Sequence, residues 1–155
     1  MIPRIKRVLY ATDLSKTAMY AFRYAMNTAE KHDAEMIVLH VITDTSSRLR
    51  SDAVGRDIAT LKKGSVDELS RRLDEFCKSE LKDRQECMKM ITGVRVEEGN
   101  PVELIIRVAE DEKCDVIIMG NHGAGMWSHN YLGGVARRVL RRSEKPVYII
   151  PLPKE

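Results

Sequence analysis

The sequence predicts an α/β fold: a parallel sheet covered by helices on both faces. Two observations carry this. Five short, largely apolar runs lack the strict alternation of a half-exposed strand, so they read as strands buried on both sides. The intervals between them carry apolar residues at helical spacing, and strands alternating with helices imply right-handed parallel crossovers. The whole chain, 1–155, is the length of a single domain with a real core.

The first strand is Arg7 to Ala11, bounded by charge before it and Thr12-Asp13 after it. Ser15 is positioned to cap a helix whose inner face is Ala18, Ala21, Phe22, Ala25, Met26 and Ala29, ending near His32-Asp33. Met36 to Ile42 is the second strand. The stretch from Thr43 to Asp57 is polar and reads as a mobile loop, too poor in apolar residues to order itself tightly. A long second helix carries Ile58, Leu61, Ser65, Leu69, Leu73, Phe76 and Cys77 inward, with Gly64 as a local weakness. Ile91 to Val96 is the third strand. Gly99-Asn100-Pro101 then supplies a turn, a cap and a proline at the first helical position, and Glu103 completes a capping-box-like start. The third helix points Val102, Ile105, Ile106 and Ala109 inward. Val116 to Met119 is the fourth strand. A glycine-rich loop from Gly120 to Gly134 leads to a last helix, about Val135 to Arg142, and Pro146 to Pro151 is the fifth strand.

Composition excludes several classes. Lys+Arg number 26 against 23 Asp+Glu, a net +3, without the concentrated basic face of a nucleic-acid binder. No apolar run approaches the ~18 residues of a membrane span, and the first residues lack a signal-peptide pattern, so a soluble cytoplasmic protein is expected. Cys77, Cys87 and Cys114 form no CxxC pair and are odd in number; reduced thiols are expected, with Cys77 and Cys114 as core fillers. Asn and Gln are scarce beside Lys, Arg and Glu, which leans toward a heat-adapted source.

In a sheet of this kind, ligands sit beyond the carboxyl ends of the strands, where the strand order reverses. Gly120-Asn121-His122-Gly123, followed after nine residues by Gly133-Gly134 at a helix start, combines close backbone approach with unpaired first-turn amides, which suits a phosphate. The same glycines would also serve simply to end a strand. Asp13 can accept from ribose hydroxyls or stand near a phosphate-bound cation; equally, it can make an Asx turn or cap the first helix. Val41 can offer its backbone to a base edge or be plain core. Arg137, Arg138, Arg141, Arg142 and Lys145 read as a solvated face whose field still draws anions. His122 and His129, without a carboxylate or thiolate nearby in the loop, make a poor metal site, and no protein-bound metal is expected.

Tyr10-Ala11-Thr12-Asp13-Leu14-Ser15, His40-Val41, the glycine after the third strand, Asp115 to Gly120, and the spacing Gly120-x2-Gly123-x9-Gly133 together resemble the universal stress protein family nearly end to end. The resemblance implies an open five-stranded sheet of order 3-2-1-4-5, Rossmann-like and akin to the adenine nucleotide alpha hydrolases. It also implies a homodimer through the fifth strand (Val147, Tyr148, Ile149, Ile150). By likeness to ATP-binding members, Asp13 contacts the nucleoside, Val41 the adenine, and the glycine loop the phosphates. The expected site is Ala11, Thr12, Asp13, Val41, Met119, Gly120, Asn121, His122, Gly123, Gly133, Gly134 and Val135. It would take ATP or AMP, with any Mg2+ held mainly by the phosphates. One position departs: the family's ATP-binding pattern continues Gly-Ser or Gly-Thr, and here that residue is Gly134. Losing a hydrogen bond to a charged group costs about 1.5–3 kcal/mol, roughly tenfold to a hundredfold in affinity.

The expected function is therefore a nucleotide-binding regulatory protein. Its rival is a stress-related interaction or dimerisation protein of the same fold that binds no nucleotide; the side chains of Trp127 to Tyr131 are suited either to covering a ligand or to packing onto a dimer partner. Dedicated catalysis is not expected beyond slow ATP hydrolysis. Lys63-Gly64-Ser65 lacks the upstream glycine spacing of a Walker A loop, and no Ser/His/Asp or Cys/His set assembles. The paired acids and distal lysine of a response-regulator receiver are missing as well.

Overall fold

The computed structural model describes residues 1–15, 17–43, 58–80, 84–122 and 132–153. Its strands are β1 (Arg7–Thr12), β2 (Glu35–Ile42), β3 (Ile91–Glu98), β4 (Val116–Gly120) and β5 (Val147–Ile150). They form one parallel sheet in the order β3-β2-β1-β4-β5. The described helices are α1 (Ala18–His32), α2 (Ile58–Glu80), α3 (Arg84–Met90), α4 (Pro101–Asp111) and α5 (Gly134–Arg142).

The pleat of β1 divides the core in two. Val8 and Tyr10 face α1 and α2, where Phe22, Leu69 and Leu73 are almost wholly enclosed. Leu9 and Ala11 face α4 and α5, against Ile105, Val108, Ile117 and Val139. Each such Leu, Ile or Val contributes about 1.5–3 kcal/mol by leaving water. All six residues expected on the inner face of α1 are buried. On α4, Leu104 and Val108 join the expected Val102, Ile105 and Ala109, while Ile106 is only half-buried. Asn100 caps α4, its side-chain oxygen accepting from the Glu103 amide at 3.1 Å, with Pro101 opening the helix.

The amino end of the sheet is closed by charge. One Asp115 oxygen accepts from the amides of Lys6 (2.7 Å) and Arg7 (3.0 Å), while the Asp115 amide donates to the Arg7 carbonyl at 2.8 Å. The Arg7 guanidinium pairs with Glu35 and donates to the Glu112 carbonyl at 2.8 Å, and the Glu35 hydrogen bond raises its pKa further.

Two expectations need correction. Between α2 and β3 the chain forms a further short helix, α3, which carries no apolar periodicity of its own. It brings Cys87 against Cys77, and the two are joined as a disulfide with Cα atoms 5.8 Å apart, within the usual span for such a bond. The odd cysteine count concealed a pair whose proximity depends on that helix. Cys114 alone remains a thiol; burial pushes its pKa up to about 11. The polar run 44–57, Gly123 and the Trp127–Tyr131 segment lie outside the described residues.

Candidate functional site

β1 is flanked by β2 on one side and β4 on the other, and the crossovers that lead into these two strands lie on opposite faces of the sheet. Just beyond, at the carboxyl ends, lies a cavity of about 310 Å³. That is the lower range of small-molecule sites, which combine apolar walls with a few placed polar groups. Ala11, Leu39, Ile105 and Met119 supply apolar wall; Thr12, Asp13, Thr43 and His122 bring polar groups. Ten of the twelve expected site residues line it: Ala11, Thr12, Asp13, Val41, Met119, Gly120, His122, Gly133, Gly134 and Val135. Asn121 does not, and Gly123 is not among the described residues.

At the end of β1 the chain turns sharply. Leu14 adopts φ 63°, a left-handed conformation uncommon outside glycine and asparagine. Its amide donates to Thr12 Oγ1 at 3.2 Å, and the Ser15 amide to Asp13 Oδ1 at 3.0 Å. Asp13 therefore does make the Asx turn, and it does so on the cavity rim. Ser15 Oγ accepts from the Ala18 amide at 3.1 Å in the turn that leads into α1, whose N-cap position is Thr17 and not the expected Ser15. His40 Nδ1 lies 2.9 Å from the Thr12 carbonyl oxygen and ties the ends of β1 and β2 together. Beneath them, the Tyr10 hydroxyl donates to the Ala18 carbonyl, and burial pushes this phenol's pKa upward.

The end of β2 outruns β1. Pairing between them stops at Thr12 opposite His40. The Glu35 amide donates to the Lys6 carbonyl on the β1 side, while the Ile42 carbonyl accepts from Gly99 on the β3 side. By the alternation of a parallel ladder, the amide and carbonyl of Val41 face the β1 side, past its last paired residue. The amide that would continue the ladder there, that of Leu14, is engaged with Thr12 Oγ1.

At the end of β4, Asn121 is 7% exposed and ties three segments together. Its amide donates to the Ile150 carbonyl (2.9 Å), its Oδ1 accepts from the Leu152 amide (3.0 Å), and its carbonyl accepts from the Gly133 amide (2.6 Å). The Gly133 amide is thus engaged within the protein and is not a donor to a ligand, contrary to expectation. A Cβ at Gly133 would stand 3.1 Å from His122 Cα and 3.2 Å from the Asn121 oxygen, so only glycine fits this approach comfortably. Helix α5 begins at Gly134, and the Arg137 amide already bonds back to the Gly133 carbonyl at 2.9 Å. The amides of Gly134, Val135 and Ala136 belong to the first turn, where the helix supplies no acceptor and its dipole is positive. Ala136, in the first turn of α5, also lines the cavity, although the expected site stops at Val135. Pro101, Ile105 and Leu152 were missed too, because only the ends of strands 1, 2 and 4 were searched. Among the described residues, no cluster of three or more His, Cys, Asp or Glu is placed to hold a metal ion.

Universal stress proteins match this chain from residue 4 to residue 151. The chain belongs to that family. Universal stress protein MJ0577 of Methanocaldococcus jannaschii is 34% identical over 153 residues, covering 94% of each chain. The solved structure of MJ0577 superposes with a TM-score of 0.64, covering 96% of each chain. UspA from Lactobacillus plantarum, at 19% identity, shares the fold with a TM-score of 0.74 over 96% of this chain and 99% of that one. A universal stress protein solved in complex with cAMP, also 19% identical, gives 0.55 over 96% and 98%. The sheet order implied by the resemblance is the observed one. No helix among the described residues is long and apolar enough to cross a membrane.

Proposed function

We propose that this protein binds an adenine nucleotide, ATP or AMP, in the cavity between β1 and β4 and acts as a nucleotide-binding regulatory protein. The observation that carries this reading is the convergence of three separate strand ends on one cavity at the switch of strand order. The apolar side chains of Ala11, Leu39, Val41 and Ile105 suit a purine face, and the Val41 carbonyl an exocyclic amine. Asp13 on the rim suits ribose hydroxyls. The amides of Gly134, Val135 and Ala136, with the positive end of α5 behind them, suit the phosphates. Any Mg2+ would be held mainly by those phosphates and would serve to neutralise their charge. The family member solved with cAMP has this same fold, which is in keeping with an adenine-nucleotide ligand.

Thermal unfolding with and without nucleotide tests this reading. At a hundred times Kd, ligand linkage adds about 2.7 kcal/mol, which for a domain of this size raises Tm by roughly 5–10 °C. No shift at millimolar ATP or AMP, with the protein folded, would favour the interaction-protein reading. Gly134, which has no hydroxyl to offer, is the residue that favours that alternative. For assembly we propose pairing of β5 across a homodimer. β5 is one of the two sheet edges, with Tyr148 40% exposed and Ile150 enclosed in its own core. Tyr148→Lys should shift the sedimentation coefficient to that of a monomer.

A further inference from the structure

We propose that Arg72, on α2, is a positioning residue of this nucleotide site: it holds Leu14 turned away from β2, so that the Val41 carbonyl stays open to the amino group of adenine. The inference rests on the nucleotide reading above and assigns a role to a residue outside the cavity lining. Leu14 is the strained point of the β1–α1 connection, at φ 63°. A leucine stays left-handed only where its surroundings hold it there. Three contacts do so. Its side chain packs against the core face formed by α1 and α2. Its amide donates to Thr12 Oγ1. Its carbonyl accepts from Nη1 of Arg72, fifty-eight residues away in sequence.

Arg72 is well set to act as such a clamp. Nε of its guanidinium donates to Glu68 at 2.7 Å, which fixes the plane of the fork. Glu68 is itself held by Arg71 at 2.9 Å. The next residue along α2, Leu73, is 1% exposed, and Leu69 and Cys77 are fully enclosed, so the helix cannot shift without opening the core. Were Leu14 to relax toward extended backbone, β1 would continue alongside β2. Its amide would then reach the position opposite Val41 and take the carbonyl that a ligand's amine needs. Arg72 thus acts on base recognition through the backbone of Leu14, without touching the ligand.

The test compares ATP with ITP, which lacks the exocyclic amine, by calorimetric titration of the full chain. Wild-type protein should prefer ATP. Arg72→Ala should weaken ATP binding about tenfold and leave ITP nearly unchanged, collapsing the preference. Arg72→Lys, which keeps the charge without the fork, should behave in the same way but less strongly. Adding Leu14→Gly to Arg72→Ala should restore the preference, because glycine takes the left-handed conformation without being held. Equal loss of ATP and ITP, or no rescue by glycine, would overturn the proposal and leave Arg72 as a source of charge or stability. Hydrogen exchange on the nucleotide-free protein separates this from failure of the functional reading. The Ser15 amide, which loses Asp13 Oδ1 when the turn relaxes, should exchange at least tenfold faster in Arg72→Ala, and unchanged exchange overturns the clamp whatever binds. A wild-type protein that binds neither nucleotide overturns the reading of function and, with it, this role for Arg72.

Discussion

At the amino end of the sheet the chain closes on itself through Asp115, Arg7 and Glu35, whereas at the carboxyl end the same strands part around a cavity. The first end satisfies backbone donors with a carboxylate. The second satisfies its own with short side chains, Thr12, Asp13, Ser15 and Asn121, and leaves the first-turn amides of α5 to whatever arrives. Both ends place non-glycine residues in left-handed backbone: Asp33 at φ 51° and Lys113 at φ 53° below, and Leu14 at φ 63° above. Lys113 lies in an ordinary helix-ending turn, with the Cys114 amide returning to the Ala109 carbonyl at 2.8 Å. Leu14 ends no helix and follows Asp13, which lines the cavity. On the function proposed above, stability and recognition fall at opposite ends of one sheet, and substitutions should sort accordingly.

The largest separation is expected at Gly133. Gly133→Val drives a branched side chain into the Asn121–His122 backbone and should weaken nucleotide binding by about a hundredfold, near 2.7 kcal/mol, measured by titration. At the other end, Asp115→Ala strips two amides of their acceptor. It should cost about 2 kcal/mol, seen as a Tm roughly 4–8 °C lower, with nucleotide affinity within about twofold of wild type. Comparable effects of either variant on both readouts would break the division. Gly134→Ser sharpens it. An added Cβ there meets no atom within 4 Å, so the hydroxyl should tighten binding by about tenfold while Tm without ligand barely moves. The smallest effect belongs to Cys114, beside Asp115. Its pKa of about 11 in the fold exceeds the ~8.5 of an unfolded chain, so its contribution is complete below pH ~8.5 and is lost as pH rises toward 11. Cys114→Ala should flatten that part of the stability–pH curve.

Much of this was legible in the residues themselves. The apolar period of α1 named its buried face, and Asn100-Pro101 marked the start of α4, because both signals are local. The sheet order came through resemblance, since pairing between distant strands leaves little trace in a single sequence. What stayed hidden depended on geometry that no short window contains. The Cys77–Cys87 bond requires a seven-residue helix with no periodic signature. The engagement of the Gly133 amide requires Asn121 to be in place first. Leu14 was the least legible of all. Leucine is a poor choice for left-handed backbone, and what holds it there, its packing, the Thr12 hydroxyl and a guanidinium from α2, is gathered from distant parts of the chain.

The bond between α2 and α3 has one further consequence. With Cys77 and Cys87 joined out of solvent's reach, and Cys114 enclosed and protonated near neutrality, the chain presents no thiol at its surface. Peroxide or an electrophilic metabolite would find no cysteine to mark. On the function proposed above, the occupant of the cleft, and not a cysteine, carries the signal to this protein.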